Sequence, residues 1–354
     1  MENKNMKNML VTGGCGFIGA NFVRYLLKES DFTGRVVNVD KLTYAGNPEN
    51  LADIDKNYKD RYIFIKTDIC DGKKMADIFE NYRIDSVCHF AAESHVDRSI
   101  VKPDAFIQTN IVGTFNLLES ARNHLKRMIL FHHISTDEVY GSLGREGYFK
   151  ETMPYKPNSP YSASKASSDH LVRAYYKTYG LPMTISNCSN NYGPYQFPEK
   201  LIPLIILNAL EGKSLPVYGD GRNVRDWLYV KDHCTAIWTI MKNGTSGETY
   251  NVGGDSEMEN IRFVEMICDI LDEKDKLSDG RSRRDLITFV KDRPGHDLRY
   301  AIDFSKLNKE LNWSPEVSLE TGIHDTIQWY MDNHKWVDRV KTGEYKTWIN
   351  THYK

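Results

Sequence analysis

The stretch Val11-Thr12-Gly13-Gly14-Cys15-Gly16-Phe17-Ile18-Gly19 decides the fold. It closes an apolar run, Met9 to Thr12, and opens an amphipathic one, Phe17 to Lys28. Gly13, Gly16 and Gly19 therefore sit at a strand-to-helix turn. Such a turn needs backbone that tolerates positive φ and that a pyrophosphate can approach closely at a helix N-terminus. Asp40 ends the next strand, at about the 20-residue spacing where a carboxylate meets ribose hydroxyls. A carboxylate there selects NAD over NADP, because it repels a 2′-phosphate. Asp68-Ile69, after the third strand, suits an adenine edge. Phe90-Ala91-Ala92, after the fourth, offers small residues where phosphates and a second ribose would lie against a sheet.

Outward from this turn, short apolar runs alternate with longer amphipathic ones. Met9 to Thr12, Val36 to Asp40, Tyr62 to Asp68, Ser86 to Ala91, Met128 to Ser135 and Met183 to Cys188 read as buried strands. Phe17 to Lys28, Lys73 to Asn81, Ala105 to His124 and Tyr161 to Tyr179 read as helices. Alternation of this kind implies crossovers and a Rossmann-like, doubly wound parallel α/β sheet. The rhythm loosens after Asn190, where Asn191 to Lys200 is rich in Gly, Pro and aromatic residues. A helix at Leu201 to Glu211, another near Val230 to Met241, a strand at Thr249 to Val252, a further helix and a strand at Leu286 to Val290 follow. We expect an NAD-binding domain over 1–190 that carries the catalytic residues, and a smaller substrate lobe over 191–354. Whether later strands return to the main sheet stays open.

The chain has 354 residues, 40% of them hydrophobic, and a net charge of -2. It can build a sizeable core, and its charge balance offers no surface for nucleic acid. No apolar run approaches the roughly 18 residues of a membrane span. Met1 to Lys7 is polar and lacks the apolar core of a signal peptide, so a cytoplasmic protein is expected. Cys15, Cys70, Cys88, Cys188, Cys234 and Cys268 are scattered with no C-x-x-C pair. They are expected to be buried thiols, with no metal site.

Two clusters carry chemistry. Tyr161-Ser162-Ala163-Ser164-Lys165 opens a helix, and positions i and i+4 share a face. An ammonium beside a phenol lowers the phenol pKa, and the same lysine can bind ribose hydroxyls. Ser135-Thr136-Asp137-Glu138 follows the strand ending Phe131-His132-His133-Ile134. Ligands bind beyond the carboxyl ends of strands in such sheets. Thr136 offers a hydroxyl to a bound sugar. The two carboxyls suit acid–base work, or else merely cap the next turn.

These clusters and the glycine turn together resemble the extended short-chain dehydrogenase/reductase superfamily. Within it, Ser-Thr-Asp-Glu-Val-Tyr-Gly at 135–141 resembles the dTDP-glucose 4,6-dehydratases. So do Ala-Ala-Glu-Ser-His-Val-Asp-Arg-Ser at 91–99, the run from Asn190 to Pro203, Gly-Asp-Gly-Arg-Asn-Val-Arg-Asp-Trp at 219–227 and Asp-Arg-Pro-Gly-His-Asp at 292–297. The related 4-epimerases share the turn and the Tyr/Lys pair but usually lack the Asp-Glu pair. Cys15 stands where the family more often has Ala.

The resemblance implies a mechanism. Tyr161, as phenolate, takes the proton of the sugar 4-hydroxyl while hydride passes to NAD. Glu138 removes the hydrogen at carbon 5, and protonated Asp137 gives its proton to the leaving 6-hydroxyl. Hydride returns to carbon 6. Two carboxyls in opposite protonation states are what the elimination needs. With the cofactor go Phe17, Ile18, Lys41, Leu42 and Thr43, and Thr109 and Asn191 at the nicotinamide half. Ser94, Thr136, Asn190, Lys200, Leu201 and Asn260 are expected on the sugar or diphosphate. Arg225 and Arg293 would pair with the diphosphate as forked guanidinium groups. Pro216 and Tyr218 would flank the base, with His296 in the loop of Arg293. The base itself stays open, since thymine and uracil differ by one methyl, worth ~1–3 kcal/mol in a pocket. Phe106, Ile107, Phe115, Leu117, Leu118, Tyr175, Tyr176 and Tyr179 put apolar and aromatic groups on more than one face of two helices. Relatives of this type pair those helices, which implies a homodimer.

Overall fold

The structure is a computed structural model and describes residues 4–292 and 295–341. Its first half alternates β1 (Asn8–Thr12), α1 (Phe17–Lys28), β2 (Arg35–Asp40), α2 (Ala52–Asn57), β3 (Tyr62–Lys66), α3 (Gly72–Asn81), β4 (Ser86–His89), α4 (Val96–Val101), α5 (Asp104–Phe106), α6 (Thr114–Asn123), β5 (Leu130–Thr136), α7 (Pro160–Tyr179) and β6 (Met183–Cys188). The second half holds β7 (Asn190–Tyr192), α8 (Leu201–Leu210), β8 (Leu215–Tyr218), β9 (Val224–Tyr229), α9 (Val230–Asn243), β10 (Thr249–Val252), β11 (Glu257–Glu259), α10 (Asn260–Lys274), β12 (Ile287–Val290), α11 (Ser305–Leu311), α12 (Leu319–Asp332) and α13 (His334–Val340).

Among the described residues, seven strands form one sheet in the order β10-β6-β5-β4-β1-β2-β3. Its pairs are parallel throughout. Successive side chains of a strand point to opposite faces, and β1 shows the consequence. Met9 and Val11 pack with Phe22 and Leu26 of α1 and Ile237 of α9. Leu10 packs on the other face with Phe79 of α3, Leu117 of α6 and Val172 of α7. Both faces are thus covered, as a parallel sheet requires. The chain winds outward from β1 to β3 on one side and from β4 to β6 on the other. Between β1 and β4 the order reverses, and there a crevice opens at the carboxyl ends of the strands.

The second half does not stay apart from the first. β10 pairs with β6, placing Thr249 opposite Ile185, and α9 packs on α1. The remainder forms two small sheets, β11-β9-β7 and β12-β8. They pack with α8, α10 and α12 around Ile205, Trp227, Phe263, Ile327 and Tyr330.

The structure corrects one predicted helix. Ala105 to His124 is not continuous α-helix: a π-helical segment, Ile107–Gly113, separates α5 from α6. Wide turns of this kind re-aim side chains. Here Asn110 accepts from Glu93 N at 2.8 Å and donates to Glu93 O at 3.0 Å, tying the segment to the chain after β4. No helix among the described residues is long and apolar enough to cross a membrane.

Candidate active site

The glycine turn works as two separate devices. Gly13 has φ +72, and a Cβ on it would lie 2.7 Å from Ala91 N. Gly19 has ordinary helical backbone, but a Cβ there would lie 2.3 Å from Gly13 O. The turn can therefore press α1 onto the sheet only with glycine at both places. No side chain caps α1 at Gly16. The first amides of that helix, with the positive end of its dipole, are left to an anion. Asp40 is buried, and its carboxylate accepts from Cys15 N at 3.0 Å and Leu42 N at 2.8 Å. Lys41 pairs with Asp68 at 2.6 Å. Gly13, Gly16, Phe17, Ile18, Gly19, Asp40, Lys41, Thr43, Asp68, Ile69, Phe90, Ala91, Ala92, Ser94, Thr109 and Asn191 all border one cavity of about 330 Å³. Leu42, with φ +57, borders an adjoining cleft instead.

The same cavity runs on to Thr136, Asp137, Glu138, Tyr161 and Lys165. Asp137 and Glu138 begin a short 3-10 turn at the end of β5. Its cap is Thr136, whose hydroxyl accepts from Glu138 N at 3.3 Å. The carboxyls are thereby spared from capping. Asp137 is 2% exposed, and its Oδ2 has no hydrogen-bond partner among the described residues. Burial first, then Glu138 and Asp226, hold its carboxyl well above the usual carboxylate range. α7 starts at a capping box in which Ser159 Oγ accepts from Ser162 N at 3.1 Å, with Pro160 in its first turn. That start aims Tyr161 and Lys165 inward, 8% and 4% exposed.

The relation of these two groups differs from the sequence expectation. Lys165 Nζ donates to the Ile134 carbonyl at 2.7 Å. Burial, followed by Glu138, pushes the Tyr161 phenol up, while the Thr136 hydroxyl bonded to it pulls the other way. A buried ammonium takes the nearest fixed acceptor, and here that acceptor is backbone at the end of β5.

Of the residues expected on the substrate, Ser94, Thr136, Asn190 and Lys200 border the cavity. Lys200 donates to Ser94 O at 3.2 Å, and Asn190 Oδ1 is buried without a partner among the described residues. Leu201, Pro216, Tyr218, Arg225, Asn260 and His296 lie outside its walls. Leu201 opens α8 next to Lys200, and Asn260 opens α10. Tyr218 stands on β8 with its ring 6.1 Å from that of His296. Arg225, on β9, donates to Asp297 O at 3.0 Å and lies 4.3 Å over the Tyr300 ring. Arg293 falls outside the described residues. The sequence reading passed over Gln196, Phe197 and Glu199, which also border the cavity. Glu199 is buried, accepts from Tyr44 OH at 2.7 Å and lies 3.4 Å from Arg98. The signal was at hand, since all three fall inside the run from Asn190 to Pro203.

Comparison with known proteins agrees with this geometry. Residues 10–326 match the family model described as GDP-mannose 4,6 dehydratase. The dTDP-glucose 4,6-dehydratase 1 of Escherichia coli K12 is 56% identical over 98% of this chain and 99% of its own. The crystal structure of dTDP-glucose 4,6-dehydratase from Bacillus anthracis in complex with NAD matches with a TM-score of 0.84 and 46% identity, covering 95% of this chain and 100% of that one. The enzyme of the same name from Streptomyces venezuelae, with NAD and TYD bound, matches with a TM-score of 0.87 and 44% identity, covering 94% and 100%. The chain therefore belongs to the dTDP-glucose 4,6-dehydratases of the extended short-chain dehydrogenase/reductase superfamily.

Proposed function

We propose that this protein catalyses the NAD-dependent dehydration of dTDP-glucose to dTDP-4-keto-6-deoxyglucose and water. One observation carries the reading. An acidic pair, Asp137 and Glu138, directly follows β5 in the cavity that also holds Tyr161, Lys165 and the glycine turn. An epimerase has no use for such a pair, whereas an elimination needs an acid and a base.

The residues fit NAD. The uncapped α1, the Gly13 and Gly19 cradle and the Asp40 carboxylate would hold its pyrophosphate and adenosine ribose, with Thr109, Lys165 and Asn191 at the other end. The chemistry NAD would supply when bound is reversible hydride storage, from carbon 4 to carbon 6, together with a positive charge that favours an ionised phenol.

The protein's own groups then divide the proton work. Tyr161 takes the proton of the 4-hydroxyl. Glu138 removes the hydrogen at carbon 5, made acidic by the 4-ketone. Asp137, held neutral by burial and by Glu138, protonates the departing 6-hydroxyl, which leaves as water. Glu138 returns its proton to carbon 5. At the end Tyr161 has gained one proton and Asp137 has lost one. The Thr136 hydroxyl is bonded to both, at 3.3 Å from Asp137 Oδ1, and sits on the path that resets them. Ser94, Asn190 and Lys200 would orient the sugar and diphosphate, with Arg225, Arg293, Asn260, Tyr218 and His296 toward the nucleotide end.

Two further readings go with this one. The cytoplasm is the expected compartment, where six free thiols, five of them buried, remain reduced. A homodimer is expected through α6 and α7. Of the side chains counted toward it, Phe106, Leu117 and Leu118 are buried within the chain, whereas Ile107, Phe115 and Tyr179 stay 45%, 44% and 44% exposed. Incubation with dTDP-, UDP- and CDP-glucose, followed by absorbance of the keto product in base, tests the function and the base together. Product from dTDP-glucose supports it, and a 4-epimer without keto-deoxy sugar overturns it.

A further inference from the structure

Beneath Lys165 the fold buries a carboxylate that is not itself part of the wall of the active-site cavity. Asp169 lies one helical turn beyond Lys165 on α7 and is 0% exposed. Its Oδ2 accepts from Ser135 Oγ at 2.8 Å and from Tyr155 OH at 2.9 Å. Its Oδ1 stands 3.2 Å from His133 Nε2, and that nitrogen stands 3.5 Å from Lys165 Nζ. Arg173, one turn further along α7, donates to Tyr155 OH at 2.7 Å and to Thr249 Oγ1 at 3.1 Å. A chain of contacts thus runs Lys165, His133, Asp169, Tyr155, Arg173, away from the site.

Charge explains why the chain exists. An ammonium buried as deeply as Lys165 is costly unless a countercharge accompanies it. The groups around it come from every element packed there. They are His133 on β5, His89 on β4, Cys188 on β6, and Tyr161, Asp169 and Arg173 on α7. His89 is satisfied as a neutral ring, 2.6 Å from Thr12 Oγ1 and 2.9 Å from Thr114 Oγ1. Burial pushes the Cys188 thiol up to about 12, so it stays neutral too. Asp169 is left as the anion: its partners His133, Lys165 and Arg173 outweigh the burial that opposes them, and hold its carboxyl below the usual carboxylate range. Burial pulls Lys165 down to about 8, and Asp169 is the foremost group opposing that fall.

We propose that Asp169, seated by Ser135 and Tyr155 and flanked by His133, is a positioning residue that supplies the buried countercharge keeping Lys165 charged and on the Ile134 carbonyl. The proposal rests on Lys165 serving the reaction described above, where it would help to hold the cofactor.

The test reads the charge of Lys165 directly. Full-length protein is labelled with 13C at lysine Cε, and the Lys165 signal is assigned by its loss in Lys165→Met. In Asp169→Asn this signal should titrate about one pH unit or more below its wild-type midpoint, the usual effect of losing a close opposite charge. Asp169→Glu should restore the midpoint. Asp169→Ser provides a second neutral variant that cannot overpack, and the comparison uses whichever neutral variant keeps the wild-type melting profile. In parallel, the alkaline limb of the kcat/KM profile on dTDP-glucose should move to lower pH by the same amount. An unchanged Lys165 midpoint in the folded neutral variant overturns the proposal, even if activity falls. Failure of the wild type to turn over dTDP-glucose would sink the functional reading instead, and the lysine titration would still decide the role of Asp169.

Discussion

Asp137→Asn alters a carboxyl that the fold holds well above the usual carboxylate range, so its effects on stability and on catalysis should run in opposite directions. The wild-type group is 2% exposed and is raised by burial, by Glu138 and by Asp226. In the unfolded chain the same carboxyl ionises near pH ~4. Above that pH, folding must take up a proton, and each further unit costs the wild type about 1.4 kcal/mol. The contribution of Asp137 is therefore intact below pH ~4 and is lost as pH rises toward its raised folded-state value. Asparagine needs no proton. The variant should gain on the wild type by about 1.4 kcal/mol per pH unit above pH ~5, measured from urea midpoints at a series of pH values. Turnover should fall by ~100-fold or more, about 2.7 kcal/mol of barrier, because the acid that releases water is gone. Oxidation at carbon 4 should survive. Rapid mixing should then show reduced nicotinamide absorbance and a 4-keto sugar that retains its 6-hydroxyl. A stability difference that stays flat with pH would mean that Asp137 is ionised in the folded protein and cannot be the acid. Loss of the first oxidation together with dehydration would make the pair structural.

Glu138→Gln should slow loss of water to a similar degree, and it should depress solvent exchange of the carbon 5 hydrogen more than Asp137→Asn does, since only the base meets that hydrogen. Equal exchange in the two variants would contradict the assignment. Tyr161→Phe should lose nearly all turnover while NAD still co-purifies, because the phenol starts the oxidation without anchoring the dinucleotide; near-normal turnover would refute its role. Phe115→Glu replaces a ring that is 44% exposed on α6 with a charge, and should convert a homodimer to monomer in light scattering at micromolar concentration. A wild type already monomeric there would remove the dimer.

Much of the site was legible along the chain because its geometry is local. Positive φ at Gly13, close packing at Gly19 and a carboxylate at the end of β2 follow from a strand-turn-helix read in order. Tyr161 and Lys165 share a face because four residues make about one helical turn. Asp169 extends the same spacing by another turn, so the sequence held a hint of it, but nothing in the spacing says that His133 and Tyr155 meet it. The predicted helix from Ala105 failed locally for a nonlocal reason. The π-helical segment sets Asn110 on the backbone of Glu93, a residue the helical pattern does not include.

The sequence by itself determined the doubly wound sheet, the place of the dinucleotide turn and the residue types available for acid–base chemistry, since periods of two and 3.6 and turn preferences act between near neighbours. Only the tertiary structure decided the state of those residues. The raised Asp137 carboxyl depends on burial and on Asp226 from β9, the seat of Lys165 depends on a carbonyl of β5, and its countercharge depends on contacts among β5, α7 and Tyr155. Desolvation and Coulomb interactions sum over everything close in space, and closeness between distant parts of a chain exists only once it has folded.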